Sequence, residues 1–259
     1  MIPTENLKQA QTNLTIGPSG GGLSDQSSVS PFNKIYFDAY INDPKRQAMY
    51  RAERDRIERL KPAGRILDVG CGLGGFLQIF DPLKWQRYGV DIAELAITET
   101  RKKGIAVKNF SEAYDYPEEF FDVIVFRGSI QLIPSPFSII ETCIKLLNPG
   151  GFLIFLATPN SNSPYFRRFK TLPILTPHLN FLIPSDIMMA NVLRNFDLKI
   201  VDIRYPYLGG PYARPLRDHA LFLLSYFGVK RKFPFWRSVM EIYASKSTGR
   251  DVEHLVCRK

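Results

Sequence analysis

One short stretch constrains the fold of this chain more than any other: Arg65-Ile66-Leu67-Asp68-Val69-Gly70-Cys71-Gly72-Leu73-Gly74-Gly75. An apolar run broken by one acid leads into four glycines, at 70, 72, 74 and 75. Phe76-Leu77-Gln78-Ile79-Phe80 comes next and reads as the start of a helix. A strand, a glycine turn and a helix in that order present backbone N–H groups and a positive helix end to a nucleotide-like ligand. Glycine suits the turn because the chain must reverse sharply and because a Cβ would hold such a ligand at a distance. The bland alternative is a tight strand-to-helix turn with no ligand at all.

Gly70-x-Gly72-x-x-Gly75 also matches the dinucleotide fingerprint, so an NAD-dependent oxidoreductase is one reading. Asp68 weighs against it. An acid two residues ahead of the first glycine is unfavourable beside a pyrophosphate and suits a ligand with a positive end. Leu67-Asp68-Val69-Gly70-Cys71-Gly72-Leu73-Gly74 resembles motif I of the class I S-adenosylmethionine (SAM)-dependent methyltransferases. Their cofactor carries a sulfonium and an ammonium and no phosphate. The resemblance covers residues 32–204 well and 236–245 loosely, is most specific over 65–91, and leaves 205–235 outside. It implies SAM as the cofactor, with Asp68, Gly70 and Gly72 holding the methionine end. Cys71, Gly74, Ile92 and Arg127 complete the expected cofactor contacts, although Cys71 also reads as a filler of a small gap.

Downstream, strands and helices alternate. Arg87–Asp91 is a second strand ending in an acid. Asp91 suits the two ribose hydroxyls, or the cap of a helix over about 93–103. Ile105–Val107 is a third strand. The family places adenine contacts near Asn109–Tyr114, which points to Ser111 or Glu112. Phe121–Phe126 is a buried fourth strand, and Phe152–Ala157 a fifth, apolar throughout as parallel strands covered on both faces are. Phe137, Ile140, Ile144 and Leu147 mark a helix face between them. Leu198–Arg204 and Val239–Ala244 are sixth and seventh strands. The expected fold is therefore α/β, a doubly wound, Rossmann-like, seven-stranded and mostly parallel sheet with helices on both faces. Residues 1–30, rich in Gly and Ser, read as a flexible tail before a single domain over 31–259. A helical cap over 32–62 and insertions at 160–184 and 205–235 decorate that domain.

The acceptor side is read from the segments after the fourth and fifth strands. Related small-molecule O-methyltransferases, the ubiquinone type among them, often carry Glu-His or Gln-His before a proline. Here Gln131 is followed by Leu132, so that candidate base is missing. Thr158-Pro159-Asn160, an insert, and His178-Leu179-Asn180-Phe181 resemble a subgroup acting on quinone precursors, sugars and other small acceptors. That makes His178 the candidate general base, since an imidazole pKa near ~6.5 suits deprotonation of a hydroxyl; His219 is the alternative. Tyr36, Gln131, Asn160, Arg167 and Arg214 are the expected acceptor contacts, with Arg168 a further candidate to orient an anionic group.

Charge separates the two parts of the chain. Residues 1–159 hold 18 Lys+Arg against 18 Asp+Glu, and residues 160–259 hold 16 against 7. The basic part fits solvated surface, or an anionic partner. Ala220–Gly228 is apolar, too short to span a bilayer, and is followed by Lys230, Arg231, Lys232, Phe233, Phe235 and Trp236. A lid, a dimer contact and peripheral contact with a membrane surface all stay open. Cysteines 71, 143 and 257 show no disulfide or metal spacing, which fits a reducing compartment. With no signal peptide pattern, the expected location is cytoplasmic, with room for the inner face of the membrane. The expected function is SAM-dependent O-methylation of a small acceptor, a sugar or lipid-linked intermediate of envelope polysaccharide assembly, by a monomer or homodimer. A nucleic-acid methyltransferase or binder is the other alternative. Against nucleic acid as a partner, Phe126-Arg127-Gly128-Ser129 stands where a base-methylating enzyme would carry Asn/Asp-Pro-Pro-Tyr/Phe.

Overall fold

The structure, a computed structural model, describes residues 43–112, 115–175, 179–208, 210–228 and 231–248. Seven strands form one sheet: β1 (Gly64–Val69), β2 (Trp85–Asp91), β3 (Ala106–Asn109), β4 (Phe121–Arg127), β5 (Leu147–Pro159), β6 (Leu198–Arg204) and β7 (Val239–Lys246). Their order is β3-β2-β1-β4-β5-β7-β6. All pairs are parallel except those of β7, which runs antiparallel to both β5 and β6. The order reverses between β1 and β4, and such a reversal opens a crevice at the carboxyl ends of the strands.

Six helices accompany the sheet among the described residues: α1 (Pro44–Leu60), α2 (Glu94–Arg101), α3 (Pro136–Leu146), α4 (Pro164–Phe169), α5 (Asp186–Asn195) and α6 (Pro215–Leu224). None is long and apolar enough to cross a membrane. Side chains alternate across each strand. On β4, Ile124 and Phe126 join a core with Ile139, Ile140 and Cys143 of α3 and Met189 and Leu193 of α5. Val123 and Val125 join a second core with Tyr50 and Ile57 of α1 and Ile97 of α2. The two cores lie on opposite faces of the sheet, so it is wound on both sides as the sequence suggests.

Two local expectations change. Residues 76–80 form a single 3-10 turn, Leu77–Ile79, and no α-helix. Phe76, Leu77 and Phe80 are all buried there. The buried face of α3 is Pro136, Ile139, Ile140, Cys143 and Leu146, and Phe137 is exposed. Ile144 is partly buried against the same core, and Leu147, also buried, already opens β5 opposite Phe121. The insert after β5 contains α4, capped by the Ser163 side chain, which accepts from Phe166 N–H.

A third apolar cluster stands apart from the sheet. Tyr165, Leu172, Phe233 and Phe235 are buried together, with Phe166, Phe169, Leu221 and Phe222 packed around them. It joins α4, α6 and the approach to β7. Phe222 and Phe235 stack with centroids 4.4 Å apart. The segments at 160–184 and 205–235 therefore share one aromatic cluster.

Candidate active site

Asp68 has the parity of Ile66 on β1, so it faces the side of the sheet covered by α1. It is buried, and its Oδ1 has no hydrogen-bond partner among the described residues. Burial raises its pKa to about 7; nearby Arg127 opposes the shift, and Asp91 and Glu53 add to it. Arg127 has the same parity as Val123 and Val125, so it also points under α1. There its Nε and Nη2 meet the two carboxylate oxygens of buried Glu53 at 2.7 and 3.2 Å. Its guanidinium lies 4.3 Å from the Tyr50 ring centroid. Arg127, expected as a direct cofactor contact, is thus held by α1 and reaches the site through its charge on Asp68.

The glycine turn is built around these groups. Gly70 has φ +82°, and a Cβ there would fall 2.6 Å from Ser129 Cβ. Gly74 has φ +70°, and a Cβ there would fall 2.6 Å from Thr100 Cγ2. Both positions thus require glycine for the close approach of neighbouring side chains, in addition to any ligand. Ser129 Oγ donates to Val69 O. Thr100 Oγ1 donates to Gly72 O at 3.0 Å, and Lys103 Nζ to Leu73 O at 2.7 Å. Cys71 is buried against Gly89, where a Cβ would come within 2.6 Å of its Sγ. Burial first, with Asp68 and Asp91 adding to it, pushes the thiol well above its ordinary pKa. Cys71 fills a gap and is a poor nucleophile.

Asp91 closes the turn from the end of β2. Its Oδ2 accepts from Gly72 N–H at 2.8 Å and its Oδ1 from Ala93 N–H at 2.9 Å. The N-cap residue of α2 is Ala93 itself, so Asp91 ties the glycine turn to the entry of α2 without capping the helix directly. Each carboxylate oxygen retains a second lone pair. Burial raises the Asp91 pKa, and the N–H donors of Ala93, Gly72 and Ile92 pull against that. Next to it Ile92 is 64% exposed. Ser111 and Glu112 are exposed, and Ser111 donates both its N–H and its Oγ–H to Asn109 Oδ1.

On the acceptor side Gln131 is buried after β4. Its Nε2 donates to Gly128 O at 2.8 Å, and its Oε1 has no partner among the described residues. Its backbone oxygen accepts from Phe181 N–H at 2.8 Å, and the Phe181 side chain is 57% exposed. Asn160 is drawn elsewhere. Its Nδ2 donates to Asp186 Oδ2, and its Oδ1 accepts from the N–H groups of Asn162 and Asp186. Arg167 donates to Asn162 Oδ1 at 2.7 Å. Arg214 is exposed and precedes α6, its N–H donating to Asp218 Oδ2. Arg168 donates to Ser225 O at 2.7 Å. His219 is exposed on α6, with Nδ1 2.7 Å from Pro215 O. Tyr36 and His178 lie outside the described residues.

The structure therefore brings Asp68, Gly70, Gly72, Gly74, Asp91 and Arg127 to the crevice between β1, β2 and β4, with Gln131 just beyond β4. A shallow depression of about 500 Å³ beside Gly64, Trp85 and Asp122 lies at the amino ends of the strands, away from this crevice. Glu53, Thr100 and Ser129 were missed from the sequence. Glu53 had a signal, since it lies at i+3 from Tyr50 and i−4 from Ile57 on the buried face of α1. A carboxyl in that row calls for a buried cation.

The crevice, its acidic ends and its glycine turn define a Rossmann-like nucleoside-binding enzyme whose ligand carries positive charge. A family model described as a methyltransferase domain matches residues 43–203. The chain belongs to that family and is a class I SAM-dependent methyltransferase. It is 33% identical over 156 residues to a ubiquinone biosynthesis O-methyltransferase of Shewanella sp. (strain ANA-3), an alignment covering 53% of this chain and 64% of that one. It is 30% identical over 230 residues to an enzyme of the same description from Xanthomonas oryzae pv. oryzae, covering 80% of this chain and 92% of the other. A SAM-dependent methyltransferase from Archaeoglobus fulgidus shares the fold, with a TM-score of 0.58 at 16% identity over 82% of this chain and 99% of its own.

Proposed function

We propose that the chain moves the methyl group of SAM to a hydroxyl oxygen of a small, lipid-linked acceptor. The observation that carries the cofactor assignment is Asp68 Oδ1, a buried acceptor without a partner beside the glycine turn. An isolated buried carboxyl oxygen is costly, and a cationic ammonium is the group that offsets the cost. Asp68 with the backbone of Gly70 and Gly72 holds the methionine end. Asp91, already fixed by Gly72 and Ala93, uses its remaining lone pairs for the ribose hydroxyls. Ile92 packs on the adenosine, and Arg127 limits the negative charge that Asp68 and Asp91 build together.

SAM supplies a methyl already activated by its sulfonium. The work left to the protein is alignment of the acceptor oxygen with that methyl, and much of the rate of such a displacement comes from alignment. In this reading Gln131 Oε1, a buried oxygen without a partner among the described residues, accepts a hydrogen bond from an acceptor hydroxyl. The exposed ring of Phe181, held beside Gln131, offers an apolar wall. His178 is the proposed base. The oxygen assignment draws on the O-methyltransferase relatives, and the lipid link on the exposed apolar side chains at this end of the sheet.

Titration with S-adenosylhomocysteine should show binding that Asp91→Ala weakens at least about tenfold, as loss of a charge-assisted hydrogen-bonding pair does. Transfer of radiolabelled methyl should then be followed to prenylated phenols, to lipid-linked sugars of the kind used in envelope polysaccharide assembly, and to amines. Product on either hydroxylated class supports the reading and names the acceptor. Product on amines alone overturns it.

A further inference from the structure

We propose that the outer face of α6 and the turn after it dock this protein on an anionic phospholipid surface. An ordinary surface helix buries its apolar side and exposes its polar one; this helix also carries apolar side chains on its outer face. Its inward groups include Asp218 and Ser225, both buried and fully engaged. Asp218 accepts from Tyr207 Oη–H, Arg214 N–H and Arg217. Ser225 donates to Phe222 O and accepts from Arg168. Leu221 and Phe222 pack on the aromatic cluster. Outward, Leu216, Ala220, Leu223 and Phe227 recur at i, i+4, i+7 and i+11, a single stripe. Leu216 is 92% exposed, Leu223 65% and Phe227 85%. Leu224 and Tyr226 widen it. Anchoring by polar groups beneath keeps this stripe turned to solvent.

The charge around the stripe selects the occupant. Arg168 of α4, Arg217 of α6, and Arg231 and Lys232 just after the turn are exposed, and Arg168 stacks 4.4 Å from the Tyr226 ring centroid. Trp236, four residues on from Lys232, is half exposed. A second copy meeting this face across a two-fold axis would set the same basic margin against itself. A bilayer rich in acidic headgroups offers negative charge to the margin and hydrocarbon to the leucines and Phe227. Position supports the same occupant. Val239 pairs with Pro159 at the carboxyl end of β5, so the chain that carries the aromatic cluster enters the sheet at the end that bears the active site. Docking of this kind does not depend on which acceptor is methylated.

The chain carries two tryptophans, Trp85 buried in the core and Trp236 at the margin, so emission shifts report mainly on the margin. The full chain should sediment with phosphatidylcholine vesicles containing phosphatidylglycerol, and its emission should move to the blue. Added salt should weaken both effects. The double variant Leu216→Ser with Phe227→Ser should weaken partitioning by about tenfold or more, and Arg231→Glu with Lys232→Glu by a similar factor. Both variants should keep wild-type S-adenosylhomocysteine binding, which shows that they fold. Equal binding to pure phosphatidylcholine, binding unchanged in both variants, or no binding at all would overturn the proposal. So would concentration-dependent dimerisation that the leucine and phenylalanine changes abolish, because a second copy would then be the occupant.

Discussion

Asp68 shows how a single side chain carries information that its type alone does not. In the protein without ligand its pKa is about 7, above the ordinary 3.8, chiefly because it is buried. A carboxyl with a raised folded-state pKa contributes stability that is full below its unfolded pKa and is lost as pH rises through the folded one. The empty site should therefore lose stability between about pH 4 and pH 7, by an amount on the order of 4 kcal/mol for a shift of this size. A cationic ligand reverses the preference. S-adenosylhomocysteine affinity should rise with pH up to about 7, by at most on the order of tenfold per pH unit, and then level off. Calorimetry in buffers of different ionisation enthalpy should register proton release below pH 7, and Asp68→Asn should abolish both the release and the slope. Gly70 is constrained twice, by its backbone and by its neighbour. Gly70→Ala should cost roughly 2 kcal/mol or more in denaturant unfolding, from its left-handed backbone and from overlap with Ser129. Ser129→Gly in the same chain should recover the overlap part and leave the backbone part.

At the scale of elements, α1 is more than a cover. Arg54 Nη1 donates to Ile79 O, Trp85 Nε1 donates to Glu58, and Arg56 pairs with Glu241. The helix thus spans the sheet from β2 to β7, with the Glu53–Arg127 pair at its centre. Glu53→Ala should cost about 3–5 kcal/mol, because it leaves a buried guanidinium without its partner. Arg127 would then turn its charge fully on Asp68 and compete with a cationic ligand, so S-adenosylhomocysteine binding should weaken as well. Replacing both residues, Glu53→Leu with Arg127→Met, should recover most of the stability. Recovery of stability without recovery of binding would assign Arg127 a part in setting the charge of the site.

On the scale of the whole molecule, Asp186 is the junction that fixes the second half of the chain to the sheet. It accepts hydrogen bonds from Asn160 after β5, Asn162 before α4, Tyr205 after β6 and Arg237 before β7. Burial pushes its pKa up, but hydrogen bonds from Tyr205, Asn162 and Arg237 prevail and hold it well below the usual carboxylate range. A depressed carboxyl contributes stability that is present above its unfolded pKa and lost as pH falls through its folded one. The junction should hold at neutral pH and weaken only below about pH 4. Asp186→Ala should cost about 3 kcal/mol at neutral pH, and near-ultraviolet circular dichroism should show the loss first in the aromatic cluster. An effect below about 1 kcal/mol, the size of one ordinary hydrogen bond, would mean that the cluster is held to the sheet by its apolar contacts alone.

Much of the α/β frame was legible because it depends on local rules. Apolar runs mark β1, β4 and β5, Ser185, whose side chain accepts from Met188 N–H, marks the start of α5, and the glycine turn after Asp68 marks the crevice; each depends on a few neighbouring residues. Period-two parity places Asp68 and Arg127 on one face, and it could have located their meeting with α1. The rest depends on residues far apart in the chain. No local pattern pairs Glu53 with Arg127, brings Ser129 against Gly70, or gathers four donors on Asp186, because each contact is fixed by the packing of separate elements. The same holds for α6. Its apolar composition was plain in the sequence, but which side faces water was decided by polar anchors at Tyr207, Asp218 and Arg168, and only the assembled fold brings these together.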